Sequence, residues 1–175
     1  CSLSKVTFPG AGVAAMAASR RNIDYILKNM FPMIISFDKL NQVRHIRFLK
    51  DMDGLAAHME KHRALLEPKF RAVLAILDEG LSGCGSIARW TKPNGGYFLS
   101  LYTLGGCAKR TVQLCREAGV VLTDAGAAYP YGVAPQDSNI RIAPTFPPLD
   151  ELETASRLLC VCVRIATLEK LLQRQ

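Results

Sequence analysis

Between Leu55 and Glu79 the apolar residues recur at helical steps for longer than anywhere else in the chain. Leu55, Met59, Leu66, Phe70, Val73 and Leu77 stand three, four or seven residues apart. They leave Glu60, Arg63, Glu67 and Arg71 mostly on the other side. A stripe of this kind predicts an amphipathic helix that must bury one face against other elements. Pro68 lies inside the pattern, lacks an amide hydrogen and predicts a kink or a split. Gly80, Gly83 and Gly85 then end the helix.

Shorter elements flank it. Val13 to Ala18 are small and apolar and read as a buried strand, entered through a Gly10-Ala11-Gly12 turn. Ser19 can cap a helix from Arg20 to about Met30, and Ser36 a second over roughly Phe37 to Lys50. Downstream, Ile87 to Thr91 and Tyr97 to Tyr102 alternate around Lys92-Pro93-Asn94-Gly95-Gly96 and predict a hairpin. A helix over about Gly106 to Ala118 stops at Gly119. Val120 to Leu122 and Ile140 to Ile142 read as short strands separated by a glycine- and proline-rich loop. A last helix runs from Asp150 to about Leu172, with Leu152, Ala155, Leu159, Cys162 and Ala166 as its apolar line. The order predicts a mixed α/β chain whose part after residue 51 is an α+β unit of helices on a small sheet.

A chain of 175 residues allows one or at most two domains. Its 49% hydrophobic and 21% charged residues exclude disorder and fibrous repeats. No run approaches the roughly 18 apolar residues of a membrane span, and no signal-peptide pattern opens the sequence. Because the chain starts with Cys, directly in a motif-like turn, a fragment or processed product is the expectation. The net charge of +7 would suit nucleic acid, an anionic surface or small phosphorylated and carboxylate-bearing molecules. Its densest stretch, Lys39, Arg44, His45, Arg47 and Lys50, reads as a solvated helix face. No aromatic-interleaved basic patch supports nucleic acid. Cysteines at 1, 84, 107, 115, 160 and 162 and histidines at 45, 58 and 62 contain no metal-binding template. Free thiols in a reducing cytoplasm are expected. His58 and His62, four residues apart beside Glu60 and Lys61, read as an exposed helix face rather than a metal pair.

Two residues carry candidate chemistry. Lys5 follows Ser2-Leu3-Ser4 and precedes Phe8-Pro9-Gly10-Ala11-Gly12. Small hydroxyls and a glycine-rich turn leave space beside its amine for a phosphorylated cofactor, which makes it a candidate Schiff-base lysine. The plain alternative is a solvated lysine. Arg141 sits between Ile140 and Ile142, where a guanidinium is costly unless an anion meets it, and its fork suits a carboxylate. The alternative is an edge strand with Arg141 in water. The Thr123 to Gly132 loop, with Tyr129 and Tyr131, is either a pocket wall or a long connection. Asn94-Gly95-Gly96 reads as a turn whose glycines would also let a substrate approach the backbone.

Taken in order, these segments resemble the C-terminal half of a class I pyridoxal-phosphate-dependent aminotransferase. The segments are Ser2-Leu3-Ser4-Lys5 with Phe8-Pro9-Gly10, Pro93-Asn94-Gly95-Gly96-Tyr97-Phe98, Gly119-Val120-Val121-Leu122 with Ala125-Gly126, and Asn139-Ile140-Arg141-Ile142-Ala143-Pro144. The Phe8 to Val13 run and the Arg44 to Lys50 stretch look most like the MocR-type branch, which holds one subgroup of aspartate aminotransferases. The resemblance implies that Lys5 carries pyridoxal 5'-phosphate and moves the substrate α-proton. It implies that Ser2, with Ser4, holds the cofactor phosphate, and that Arg141 clamps the substrate α-carboxylate beside Asn94 and Gly95. Residues 1–50 would end the large cofactor-binding domain. Residues 51–175, entered by a linking helix near 55–79, would form the small domain that closes over substrate. Amino acid and 2-oxo acid substrates, a homodimer and a cytoplasmic enzyme follow from the same likeness, with no metal, nucleic acid or membrane.

Val13 departs from the arginine many members carry eight residues after the lysine, which leaves phosphate neutralisation unassigned. The family's ring-nitrogen carboxylate and stacking aromatic lie upstream of the lysine. This chain alone is therefore expected to bind cofactor poorly. Two other readings remain: a ligand-sensing half of a transcriptional regulator, and a non-catalytic module. Lys5 and Arg141 together favour the enzyme.

Overall fold

The computed structural model describes residues 1–34 and 36–173. The chain divides into two compact units, Cys1–Ala64 and Leu65–Gln175.

The first unit opens with a chain reversal. Leu3 N donates to Val13 O at 2.8 Å and Ala15 N to Cys1 O at 2.9 Å, around a single bridge between Ser2 and Ala14. Pro9 and Gly10 turn the chain, with Gly10 at φ +76° and Ala11 N bonded to Phe8 O. Proline ahead of a glycine in the left-handed region is the signature of a type II turn. The strand expected over Val13 to Ala18 does not form beyond that bridge, and Ala14 to Ala18 are exposed. A strand needs a neighbour for its amides, and among the described residues only the segment around Ser2 provides one.

Helix α1 (Arg20–Met30) starts where the sequence predicts, with Ser19 accepting from Asn22 N. Helix α2 (Lys39–Leu49) is capped by Asp38 rather than Ser36, its carboxylate accepting from Asn41 N at 2.9 Å. A carboxylate at N-cap also meets the positive end of the helix. The basic side chains of α2 are exposed as expected, but His45 is buried at 4% exposure, and Asn41 at 6%. Leu40, Val43, Ile46 and Phe48 lie exposed on the same helix.

Helix α3 (Met52–Leu81) runs through Pro68 without a break. Pro68 has no amide hydrogen for Ala64 O, and the division between the units falls directly after Ala64. Its last turns belong to the second unit.

That unit is a three-stranded antiparallel sheet with helices on one face. Strands β1 (Ala88–Trp90), β2 (Leu99–Thr103) and β3 (Asn139–Ile142) lie in that order. The alternation of β2 is complete: Leu99, Leu101 and Thr103 are buried, Ser100 and Tyr102 partly open. Leu99, Leu101, Ile140 and Ile142 pack against Val73, Ile76, Leu77 and Leu81 of α3. Val112 and Cys115 of α4 (Ala108–Glu117) and Leu152, Leu159, Cys162 and Val163 of α5 (Leu149–Leu172) complete the core. This is the small α+β architecture the element order predicts. Gly119, at φ +91°, ends α4. Val120 to Leu122 form no strand. Among the described residues no helix is long and apolar enough to cross a membrane.

Candidate active site

In the first unit the reversal presents Lys5 at a tight turn. Val6 N and Thr7 N both bond to Leu3 O, at 2.9 and 3.0 Å, so Ser4 and Lys5 occupy the bend. Lys5 is exposed. Ser2 Oγ and Ser4 Oγ lie 2.9 Å apart, and Ser4 N donates to Ser2 Oγ at 3.2 Å. A Cβ placed on Gly12 would strike Ser4, standing 3.1 Å from its Cβ and closer still to its hydroxyl. Glycine at position 12 therefore keeps open the space in which Ser4 sits beside Ser2. One amine and two hydroxyls within four residues suit a ligand that pairs an aldehyde with a phosphate, and so fit pyridoxal phosphate.

The turn is also held by side chains the sequence does not single out as functional. Asn41 Nδ2 donates to Ala11 O at 2.6 Å, and His45 Nε2 lies 2.7 Å from Thr7 Oγ1. His58 Nε2 lies 2.6 Å from Val6 O, and His62 Nε2 3.1 Å from His58 Nε2. His58 and His62 are thus half-buried neighbours of the lysine turn, not an exposed helix face. Phe48 stacks edge-on against His58 with ring centres 5.0 Å apart. The signal was the i, i+4 spacing of Asn41 with His45 and of His58 with His62, which puts each pair on one helix face. Among the described residues, no three metal-ligating side chains cluster.

In the second unit, Arg141 stands on the sheet face away from the helices, opposite Ser100 in the register. Its guanidinium carbon lies 4.8 Å from the centre of the Phe98 ring. Its Nε is buried without a hydrogen-bond partner, and no carboxylate among the described residues pairs with the side chain. A buried N–H left unmade is costly, so this atom marks a place for an acceptor. Asn94 and Gly95 are exposed in the turn between β1 and β2, at the end of the sheet where Phe98 lies. A groove of about 530 Å³ borders Arg141, with Val120, Leu122, Asp150, Ser156 and Leu159 among its walls. Thr123 reaches that groove; Tyr129 and Tyr131 do not line it.

Of the other arginines, Arg20 pairs with Asp24 at 3.0 Å and Arg44 stands 5.8 Å over the Phe8 ring. Arg89 shares the open sheet face with Arg141, stacked 4.0 Å over Tyr102.

The sequence matches the family described as aspartate amino-transferase over residues 1–175. The chain belongs to the aspartate amino-transferase family. A family relative in Mycolicibacterium smegmatis is 49% identical over 171 residues, 98% of this chain and 40% of its own length. The aspartate aminotransferase of Corynebacterium glutamicum is 43% identical over 168 residues, 96% of this chain and 39% of its own length. A solved aspartate transaminase from the same organism superposes with a TM-score of 0.86 at 42% identity, over 96% of this chain and 39% of that one. Thermus thermophilus LysN, an α-aminoadipate aminotransferase complexed with N-(5'-phosphopyridoxyl)-L-leucine, shares the fold. Its TM-score is 0.69 at 20% identity, covering 94% of this chain and 41% of that one. The chain spans about 40% of the length of the curated relatives it matches.

Proposed function

We propose that this chain is the C-terminal part of a pyridoxal-phosphate-dependent aminotransferase that moves an amino group between an amino acid and a 2-oxo acid. The observation that carries the reading is Arg141: a half-buried guanidinium over Phe98 whose buried Nε lacks an acceptor. An α-carboxylate supplies two acceptor oxygens in the geometry a guanidinium fork prefers.

When bound, pyridoxal phosphate supplies an electron sink for negative charge at the substrate Cα. Lys5 anchors it through its amine and then carries the proton at Cα as acid and base. The Ser2 and Ser4 hydroxyls would hold its phosphate. Arg141 orients the amino acid by its carboxylate, with the Asn94-Gly95 backbone close by. Pyridoxal phosphate as cofactor is in keeping with the phosphopyridoxyl ligand of LysN, which has the same fold. Aspartate is the donor we favour, after the named Corynebacterium glutamicum relative. Within the family, the Phe8 to Val13 run and the Arg44 to Lys50 stretch favour the MocR-type branch. We further propose a homodimeric cytoplasmic enzyme, with residues 1–50 completing the large domain and 51–175 forming the small one.

The test is direct. The complete protein is mixed with pyridoxal phosphate, reduced with borohydride and digested; the adduct is expected on Lys5. In parallel, Arg141→Lys is expected to raise KM for the amino acid at least tenfold, the scale of one lost bidentate contact at about 1.4 kcal/mol per factor of ten. Cofactor affinity should stay near its parent value. An adduct on another lysine, or equal losses in both affinities, rejects the assignment.

A further inference from the structure

Three side chains of the first unit grip the lysine turn, and all three act through groups that follow Lys5 in the chain. Asn41 Nδ2 donates to Ala11 O at 2.6 Å and reaches Gly12 O at 3.4 Å. His45 Nε2 meets the Thr7 hydroxyl at 2.7 Å. His58 Nε2 meets Val6 O at 2.6 Å. Asn41 and His45 are nearly wholly buried, so these bonds face little competition from water.

Counting hydrogens fixes what each ring does. A carbonyl only accepts, so His58 must carry its hydrogen on Nε2 to bond Val6 O. His45 Nδ1 lies 2.8 Å from Asn41 O, another carbonyl, and therefore carries the hydrogen there. In the neutral ring its Nε2 is then an acceptor, and the Thr7 hydroxyl donates to it. Leu3 O, which lies 3.1 Å from the same hydroxyl, is already served by the amides of Val6 and Thr7. Where two acceptors lie within reach the shorter contact sets the partner: the Thr7 hydroxyl has His45 Nε2 at 2.7 Å against Leu3 O at 3.1 Å, and the His58 Nε2 hydrogen has Val6 O at 2.6 Å against His62 Nε2 at 3.1 Å. The two rings then adopt opposite tautomers. Phe8 packs edge-on against His45 at 5.1 Å and Phe48 against His58 at 5.0 Å, which holds both rings in these orientations.

We propose that Asn41, His45 and His58 are positioning residues that set the direction of the Lys5 amine by clamping Ala11 O, Thr7 Oγ1 and Val6 O. The clamp adds control of the reacting nitrogen from helix α2 and the early turns of α3 to that of the turn's own bonds to Leu3 O. It rests on the reading of Lys5 as the cofactor-bearing lysine. Geometry of this kind matters because displacement of a reacting group by about 1 Å can cost on the order of 100-fold in rate.

The experiment uses the complete protein loaded with pyridoxal phosphate and compares His45→Phe and His58→Phe with the parent. Phenylalanine keeps each ring's packing and removes only its nitrogens. The expected result is a kcat lowered by roughly 10- to 100-fold with KM for the amino donor within about twofold. The pH titration of the bound cofactor's visible absorbance should shift as well, since it reports the proton on the lysine nitrogen. His58→Gln, which restores an N–H donor, should recover part of the loss. Variants whose melting temperature falls while kcat and the absorbance titration stay at parent values would overturn the proposal. Should a variant not fold, nitrogen NMR of the unmodified protein decides: His45 as the Nδ1–H tautomer and His58 as the Nε2–H tautomer support the clamp, and any other pair rejects it. If the parent takes no cofactor on Lys5, the proposed function fails by itself, while the NMR result still judges the clamp.

Discussion

At the scale of single residues, the lysine turn depends on what is missing from position 12. A side chain on Gly12 would meet Ser4, whose hydroxyl bonds Ser2 at 2.9 Å. Gly12→Ala is expected to turn the Ser4 hydroxyl away and break that bond, because a serine rotamer yields more easily than backbone. One such bond is worth about 1 kcal/mol, so the affinity for pyridoxal phosphate should fall about fivefold. The melting temperature should move little. A spectrophotometric cofactor titration beside a thermal melt checks both halves. A large stability loss with unchanged affinity would mean that the turn, and not the phosphate, is what Gly12 serves. Lys5 and Arg141 stand out in the sequence because each breaks its local context, a lysine among serines and an arginine between isoleucines. Phe98 beneath Arg141 was legible only as part of a motif, since which ring lies under a guanidinium depends on strand register. The buried state of His45 was not legible, because an exposed helix face and one turned to a loop carry the same residues.

At the scale of elements, helix α3 meets α5 closely at Gly80. A Cβ there would lie 2.8 Å from Cys160 Sγ and 2.9 Å from Cys160 Cβ. Alanine in place of a helix-interior glycine would ordinarily add up to about 1 kcal/mol of stability. Overpacking against a Cβ that cannot swing aside costs about 1–3 kcal/mol, and this term should win. Gly80→Ala is therefore expected to lower stability by about 1–2 kcal/mol, read as a lower denaturant midpoint. A higher midpoint would show that the two helices part without penalty. Element limits followed periodicity and caps well where one partner sufficed: α1 begins after Ser19, and α4 stops before Gly119. They failed where a neighbour was needed. Val13 to Ala18 and Val120 to Leu122 have strand composition, but pairing decides strands, and it is a long-range property. Of the kink or split expected at Pro68, the split does not occur, because one absent hydrogen bond on an exposed turn does not outweigh the burial of the turns that follow it.

At the scale of the whole molecule, burial is uneven between the units. Among the described residues, every buried apolar side chain lies at or beyond Val73, in the second unit. The first unit buries Asn41 and His45 and exposes Tyr25, Phe31, Phe37, Leu40, Ile46 and Phe48. The second unit's core contains thiols whose titration shapes stability. Burial, reinforced by the neighbouring Cys162 thiol, pushes Cys115 up to about 12. Burial pushes Cys160 up to about 11, against the pull of Arg164 and Arg157. Both lie above the ordinary thiol value of 9.0, so the folded state holds these protons more tightly than the unfolded chain does. Their contribution is fully present below about pH 9 and is lost as pH rises from there toward 11 and 12, each thiol adding a slope of up to about 1.4 kcal/mol per pH unit. Chemical denaturation at pH 8 and pH 10.5 should show the loss, and Cys115→Ala with Cys160→Ala should flatten it. An alkaline limb unchanged by those substitutions would place its origin elsewhere.

The sequence alone determined the helices, the cap of α1, the glycine stop of α4, the hairpin, the amphipathic stripe of α3, and the two residues whose chemistry stands out, because these follow from spacing and local backbone preference. Tertiary structure alone decided which faces are covered, that the Arg141 Nε is buried without a partner, and that two helices hold the lysine turn through Asn41, His45 and His58. These depend on contacts between residues far apart in the chain, 29 to 52 positions in the Asn41 and His58 bonds, and local preference carries no information about them.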